Sequence, residues 1–230
     1  MATGRQPAPT DDAALDPRIA RSRAAIVAAA SEHFLTNGYL GANVDDIAAE
    51  ARVSKRTVYN IFGGKEQLFR EILAEAFAVA ERFSTEVVST LADADNADEA
   101  AAELRATAVN LVRPVLSGRV VRLRRLLIGE AERFPELARD YYERAPDRVM
   151  DALAEAMAQL GRRGLLSVDE PRLVSEHFAF LVLGAPLDRA LFTASDQEPL
   201  TDEVERRALQ GVDVFLRAYG PVRNSTGPAS

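Results

Sequence analysis

Along most of the chain the hydrophobic positions recur every three or four residues, the spacing of an amphipathic α-helix. From Pro17 onward Ile19, Ile26, Val27, Ala30 and Phe34 share one face, and Asn37-Gly38 supplies a stop signal. Asn43 is placed to cap a second, short helix that stops around Ala51. Asp45 and Asp46 fall in its first turn, where carboxylates favour the helix dipole. Ser54 caps a third helix, Lys55 to Phe62, which ends at Gly63-Gly64. A long helix starts at Lys65, with Phe69, Ile72, Leu73, Ala76, Ala80, Phe83 and Val87 as its apolar stripe.

The acidic segment 92–99 reads as a connection. Helical spacing resumes through Leu104, Val109, Leu111 and Val115 and breaks at Ser117-Gly118. The pattern then predicts a helix from about Arg119 to Phe134, a short one started by Pro135, and another started by Pro146. The stripe of that last one is Val149, Met150, Leu153, Met157 and Leu160, and it ends at Gly161 to Gly164. Asp169-Glu170-Pro171 is a strong helix start. The helix it opens is apolar nearly all round from Phe178 to Leu187, which implies burial on several sides, by a partner subunit as well as by its own core. Phe180 and Leu183 are the seam residues this reading selects. Thr201 is placed to cap the last helix, and Gly220-Pro221 ends it. No hairpin signal or internal repeat stands out. The expectation is an all-α chain of nine or ten helices.

Composition narrows the function classes. The 230 residues allow one large domain or two unequal ones, and 47% hydrophobic with 27% charged residues excludes a disordered chain. Without Cys there is no disulfide framework, thiolate nucleophile or Cys-ligated zinc. His33 and His177 are far apart, so no metal site and no cofactor are expected. No apolar stretch is long enough to span a membrane and no secretory signal opens the chain, so a cytoplasmic location is expected. The net charge is −7. Residues 17–73 hold eight basic and six acidic side chains, a balance of +2, which leaves −9 for the rest. That asymmetry hints at two tasks. Residues 1–16, with Gly4, Pro7 and Pro9, read as a disordered arm, 17–64 and 65–220 as two helical domains, and 221–230 as a disordered tail.

The informative stretch runs from Asn43 to Lys65. Two short helices joined by a three-residue turn, with small Ala48 at their crossing and Val53 in the turn, form a helix-turn-helix. Val58 and Phe62 face the core, with Ile61 at the edge of that face. Arg56 and Asn60 point the opposite way, flanked by Thr57 and Tyr59. Arg and Asn suit bidentate contacts with guanine and adenine edges in the major groove. Ser54, Lys55, Thr57 and Tyr59 can donate to phosphates. Lys65 adds an ammonium to the free N–H groups of a helix start, a good phosphate site.

On these residues the stretch from Arg23 resembles the DNA-binding domain of the tetracycline-repressor (TetR) family of bacterial transcription regulators. The matching runs are Ala30-x-x-x-Phe34-x-x-x-Gly38-Tyr39, Ile47-Ala48-x-x-Ala51-x-Val53-Ser54, Thr57-Val58-Tyr59-x-x-Phe62 and Lys65-Glu66-x-Leu68-Phe69. The resemblance implies a three-helix DNA-binding head, linked by a long fourth helix to a helical, dimeric, ligand-binding body. By position it would put Lys55, Thr57 and Asn60 on bases with Arg56 beside them, and Asn43, Tyr59 and Lys65 on phosphates. Two positions depart from the pattern. Arg52 stands where the turn usually has Gly, and a left-handed backbone there would cost about 1 kcal/mol. Ile61 stands where a phosphate-touching His is common, so the resemblance does not carry that backbone contact over to this chain. The runs 129–146 and 177–192 resemble the body of the AefR-like subgroup.

Other patterns carry less. Asp45-Asp46-x-x-x-Glu50 is similar to a diphosphate-binding aspartate motif, but it lacks a second acidic run and reads as a capped helix start. Asp93-x-Asp95 lacks the glycine and the glutamate of a calcium loop. In the second half Glu130, Phe134, Tyr141, Tyr142, His177 and Phe180 are candidates to line a ligand pocket; the other readings are a surface Glu130, packed tyrosines, a hydrogen-bonded core His177 and aromatic side chains in the core or a dimer seam. The expected protein is a homodimeric, ligand-responsive regulator, a repressor on a palindromic DNA operator, with a small apolar or aromatic effector. The alternatives are a helical enzyme and a protein-binding adaptor. No G-x-S-x-G, G-x-G-x-x-G or zinc spacing supports the enzyme, and no catalytic residue is assigned.

Overall fold

The structure, a computed structural model, describes residues 17–193 and 201–221. The expected arm 1–16, the tail beyond Pro221 and the capping side chain of Thr201 lie outside what is described. Among the described residues there is no strand. The order is α1 Pro17–Gly41, α2 Val44–Glu50, α3 Lys55–Phe62, α4 Lys65–Ala92, α5 Ala97–Val115, α6 Gly118–Gly129 and α7 Pro135–Tyr142. A π-helical turn, Glu143–Asp147, then leads into α8 Arg148–Arg162, α9 Pro171–Phe192 and α10 Thr201–Tyr219. Two compact units divide between Phe69 and Arg70, inside α4.

The first unit packs Ile26 and Phe34 of α1 against Ile47 of α2, Val58 and Phe62 of α3, and Leu68 and Phe69 from the start of α4, all buried. Phe34, Tyr39 and Phe69 form an aromatic cluster with centroids 5.2–5.7 Å apart. Asn43 and Ser54 cap as their positions predict: Asn43 Oδ1 accepts from the Asp45 N–H and Ser54 Oγ from the Thr57 N–H. Arg52 has φ 55°, so the turn takes the left-handed conformation that Gly would adopt without strain.

The second unit is held by apolar burial along α5, α8, α9 and α10, with Leu104, Leu153, Met157, Phe178, Val212 and Phe215 fully enclosed. Phe178 and Phe215 meet edge to face at 5.2 Å. Arg172 of α9 bonds Asp147, Asp151 and Glu176, which raises its pKa above the usual guanidinium value and ties α9 to α8. At Gly211 of α10 a Cβ would stand 2.4 Å from the Leu181 carbonyl oxygen of α9, so only Gly permits this approach. Gly211→Val is expected to cost about 1–3 kcal/mol through forced overpacking, read as a lower denaturation midpoint with an unchanged slope.

At Asn37-Gly38, where the sequence signals a stop, Gly38 (φ 71°, ψ 174°) breaks the helical path of α1, and a further turn carries the element on to Gly41. Three boundaries differ from the pattern-based reading. The acidic connection shrinks: Asn96 Oδ1 caps α5, which takes Asp98 and Glu99 into its first turn. The helix expected to reach Phe134 ends at Gly129: Glu130 already leaves the helical region (φ −103°, ψ 4°), and Phe134, restricted by Pro135, stays outside it (φ −127°, ψ 62°). Pro146 starts no helix. It sits inside the π turn, whose wider loop accommodates a residue without an N–H and joins α7 to α8.

Candidate nucleic-acid interface and effector cavity

In α3 the inner face is set by Val58 and Phe62, 1% and 5% exposed. One helical half-turn away, Arg56 and Asn60 are exposed. Tyr59, beside them, is also exposed, and among the described residues none of the three makes a hydrogen bond or ion pair. The other residues selected from the sequence are engaged. Ser54 Oγ caps α3 and lies 2.8 Å from Thr57 Oγ1. Lys55 Nζ is 2.9 Å from Asp45 Oδ2, and this carboxylate holds the Lys55 pKa above its ordinary value. Asn43 uses its Oδ1 as a cap, which leaves its Nδ2 group as the donor. Lys65 Nζ donates to the Leu40 carbonyl at 3.3 Å and lies over the Tyr39 ring. The geometry therefore separates two sets: Arg56, Tyr59 and Asn60 are ready to meet an outside partner, whereas Lys55 and Lys65 must exchange one. The Asp45, Asp46 and Glu50 carboxylates do not converge, as Asp45 pairs with Lys55 and Glu50 with His33 at 2.9 Å. Asp95 pairs with Arg163.

The second unit contains a cavity of about 340 Å³. Its walls are α4 (Val79, Ala80, Phe83), the end of α5 (Leu111, Pro114), α6 (Val120, Arg124), Tyr141 and Tyr142 of α7, Pro146 of the π turn, Val149 and Met150 of α8, and α9 (Phe180, Leu183, Leu187, Asp188). The lining is apolar with few polar groups, as in sites for small organic molecules. Of the six candidates from the sequence, Tyr141, Tyr142 and Phe180 line it, and Glu130, Phe134 and His177 do not. Glu130 and Phe134 fall in the turn created by the early end of α6. His177 lies on α9 two residues before the wall begins at Ala179, and its Nδ1 shares a hydrogen bond with the Tyr219 hydroxyl of α10. It is exposed, so it is neither a core His nor part of this pocket.

Sequence reasoning missed Arg124 and Asp188, because charged residues in an amphipathic helix read as solvated. The burial of Leu183 differs too. It is 8% exposed and lines the cavity of its own protomer, whereas Phe180 on the same helix is 74% exposed. The two residues, alike in the sequence, thus differ in the structure: Leu183 is enclosed and Phe180 is left in water.

Residues 26–72 match the bacterial regulatory protein family of TetR type, and residues 102–221 match the C-terminal domain of AefR-like transcriptional repressors. The chain is 43% identical over 61 residues to the HTH-type transcriptional repressor SCO4008 of Streptomyces coelicolor, a match over 26% of this chain and 31% of that protein. It therefore spans about a third of that relative. A TetR-family transcriptional regulator from Mesorhizobium loti superposes with TM-score 0.78 and 32% identity, covering 89% of this chain and all of the other. The Flavonoid-responsive Regulator FrrA superposes with TM-score 0.64 and 26% identity over 88% and 99% of the two chains. With a family match that extends over more than half its length, a helix-turn-helix of this geometry and a relative superposing end to end, the chain belongs to the TetR family of bacterial transcriptional regulators, in its AefR-like branch.

Proposed function

We propose that this regulator is a homodimeric repressor that binds a palindromic operator through α3 and releases it when a small apolar molecule fills the cavity of the second unit. The observation that carries the reading is the pairing of an unpartnered Arg56, Tyr59 and Asn60 face with an apolar cavity in the other unit. Residues 17–64 act as the DNA-binding head and 65–220 as the effector and dimerisation body. Arg56 and Asn60 read base edges. Asn43, Tyr59 and Lys65 hold phosphates, with Ser54 positioning α3, and Lys55 and Thr57 contact the groove once Lys55 leaves Asp45. Occupancy of the cavity shifts the spacing of the two heads, which a dimer on two half-sites cannot tolerate. FrrA, a relative described as flavonoid-responsive, supports an aromatic effector of this kind.

On this reading the effector leaves chemically unchanged, and the described lining of the cavity holds no Ser, Thr, Cys, Lys or His. Among the described residues no helix is long and apolar enough to cross a membrane. A gel shift against DNA upstream of the protein's own gene, with and without a panel of aromatic and lipid-like compounds, tests the reading. Compounds that raise the melting temperature should also release the DNA. Stabilisation without release would break the coupling between the sites, and turnover of any compound would establish an enzyme instead.

Lys65→Ala is expected to weaken binding to all sequences alike and to flatten the dependence of log affinity on log salt by about one unit. An unchanged slope would show that its ammonium stays on Leu40 and Tyr39.

A further inference from the structure

The lining of the cavity is apolar with two charged exceptions, Arg124 and Asp188. Asp188 is exposed, at a position that water reaches. Arg124 is only partly exposed, and its Nε–H is buried with no acceptor. Among the described residues no hydrogen bond or ion pair engages its guanidinium. The adjacent Arg125 shows the ordinary outcome, donating to the Thr193 carbonyl at 2.9 Å. One other buried side-chain atom without a partner is described, Ser31 Oγ, which lies in α1 outside the cavity.

A guanidinium cannot escape burial by losing its proton. A buried N–H donor without an acceptor costs free energy that an incoming acceptor recovers. The recovery is largest for an anionic oxygen, because charge-assisted hydrogen bonds are the strong ones and a carboxylate matches the fork of the guanidinium. An amine would meet the same positive charge and gain nothing. The remaining walls, among them Phe83, Tyr141, Phe180 and Leu183, require an apolar body.

We propose that the effector is an apolar carboxylic acid whose carboxylate is held by Arg124, with its hydrocarbon or aromatic part among the apolar walls. This rests on the cavity being the effector site. It adds the selecting group and the charge of the ligand.

Calorimetric titration of the full chain with two matched pairs tests it: naphthoate against the neutral acetylnaphthalene, and decanoate against decyl alcohol. The parent should bind the acid of at least one pair about tenfold more tightly than its neutral partner. R124M and R124Q should lose that preference, weakening the acids far more than the neutral compounds, whose uncharged oxygen gains less from the guanidinium. R124K, which keeps the charge without the buried Nε–H, should retain part of it. Because Arg124 has no partner to lose, R124M without ligand should melt at a higher temperature than the parent, and two neutral variants guard against one failing to fold. Equal affinity for acid and neutral partner in the parent, or a preference that survives both R124M and R124Q, would remove Arg124 as the selector while leaving the cavity as the effector site. Binding of neither pair to the parent would overturn the cavity reading and this one together.

Discussion

Replacing Arg56 and Asn60 together by Ala is expected to bring operator affinity down toward that for unrelated DNA. Each bidentate contact is worth about 1–3 kcal/mol of discrimination, so the pair removes about 2–6 kcal/mol, upward of about thirtyfold. The fold should not suffer. Both side chains are exposed and neither supports the core face of α3, which rests on Val58, Phe62 and the Ser54 cap. The single variants should each relax specificity at one base pair, visible when a set of single-base operator variants is titrated at fixed salt. If the double variant keeps the parent's ratio between operator and scrambled DNA, the readers lie elsewhere on the first unit.

Phe180→Asp is expected to give a folded monomer. Leu173, Phe180 and Leu181 of α9 and Val214 of α10 are large apolar side chains left in water by a single protomer, and soluble monomers avoid such clusters. A charge at Phe180 costs the protomer little, because that side chain is 74% exposed, but it would be buried across a seam. Losing the second half-site should weaken operator binding by about 10²–10⁴-fold, measured beside the molecular mass by sedimentation. Phe180 also lines the cavity, so Leu181→Asp, outside it, is the companion. Both variants should be monomeric, and a dimer of unchanged strength from both would place the seam elsewhere. Leu183→Asp is not equivalent. At 8% exposure it would bury a charge within the protomer and report on folding.

The helix-turn-helix was legible in the sequence because its determinants are local. Asn43 and Ser54 cap within three residues of their own positions, the Val58 and Phe62 spacing fixes which way α3 faces, and Gly63 ends it in the left-handed conformation. The opposite face, Arg56 and Asn60, then follows from the helical period alone. Even the unusual Arg52 backbone was foreseeable, because the turn demands that conformation whichever residue occupies it.

What the sequence could not decide depends on partners far away in the chain. The ends of α6 and the π turn decide that Tyr141 and Tyr142 reach the cavity wall while Glu130 and Phe134 do not. Leu183 and Phe180 read alike in a run that is apolar all round. Only the packing of α9 against its neighbours buries the first and leaves the second in water. Arg124 reads as one more solvated cation, and the enclosure of its Nε–H exists only once α6 meets the other walls. Local propensity and periodicity act within a turn or two of helix and so determined the elements and the outward-facing side chains of α3. Burial is a property of the assembled unit, so the tertiary structure alone decided the cavity, the enclosed Arg124 Nε–H without an acceptor and the apolar side chains left in water.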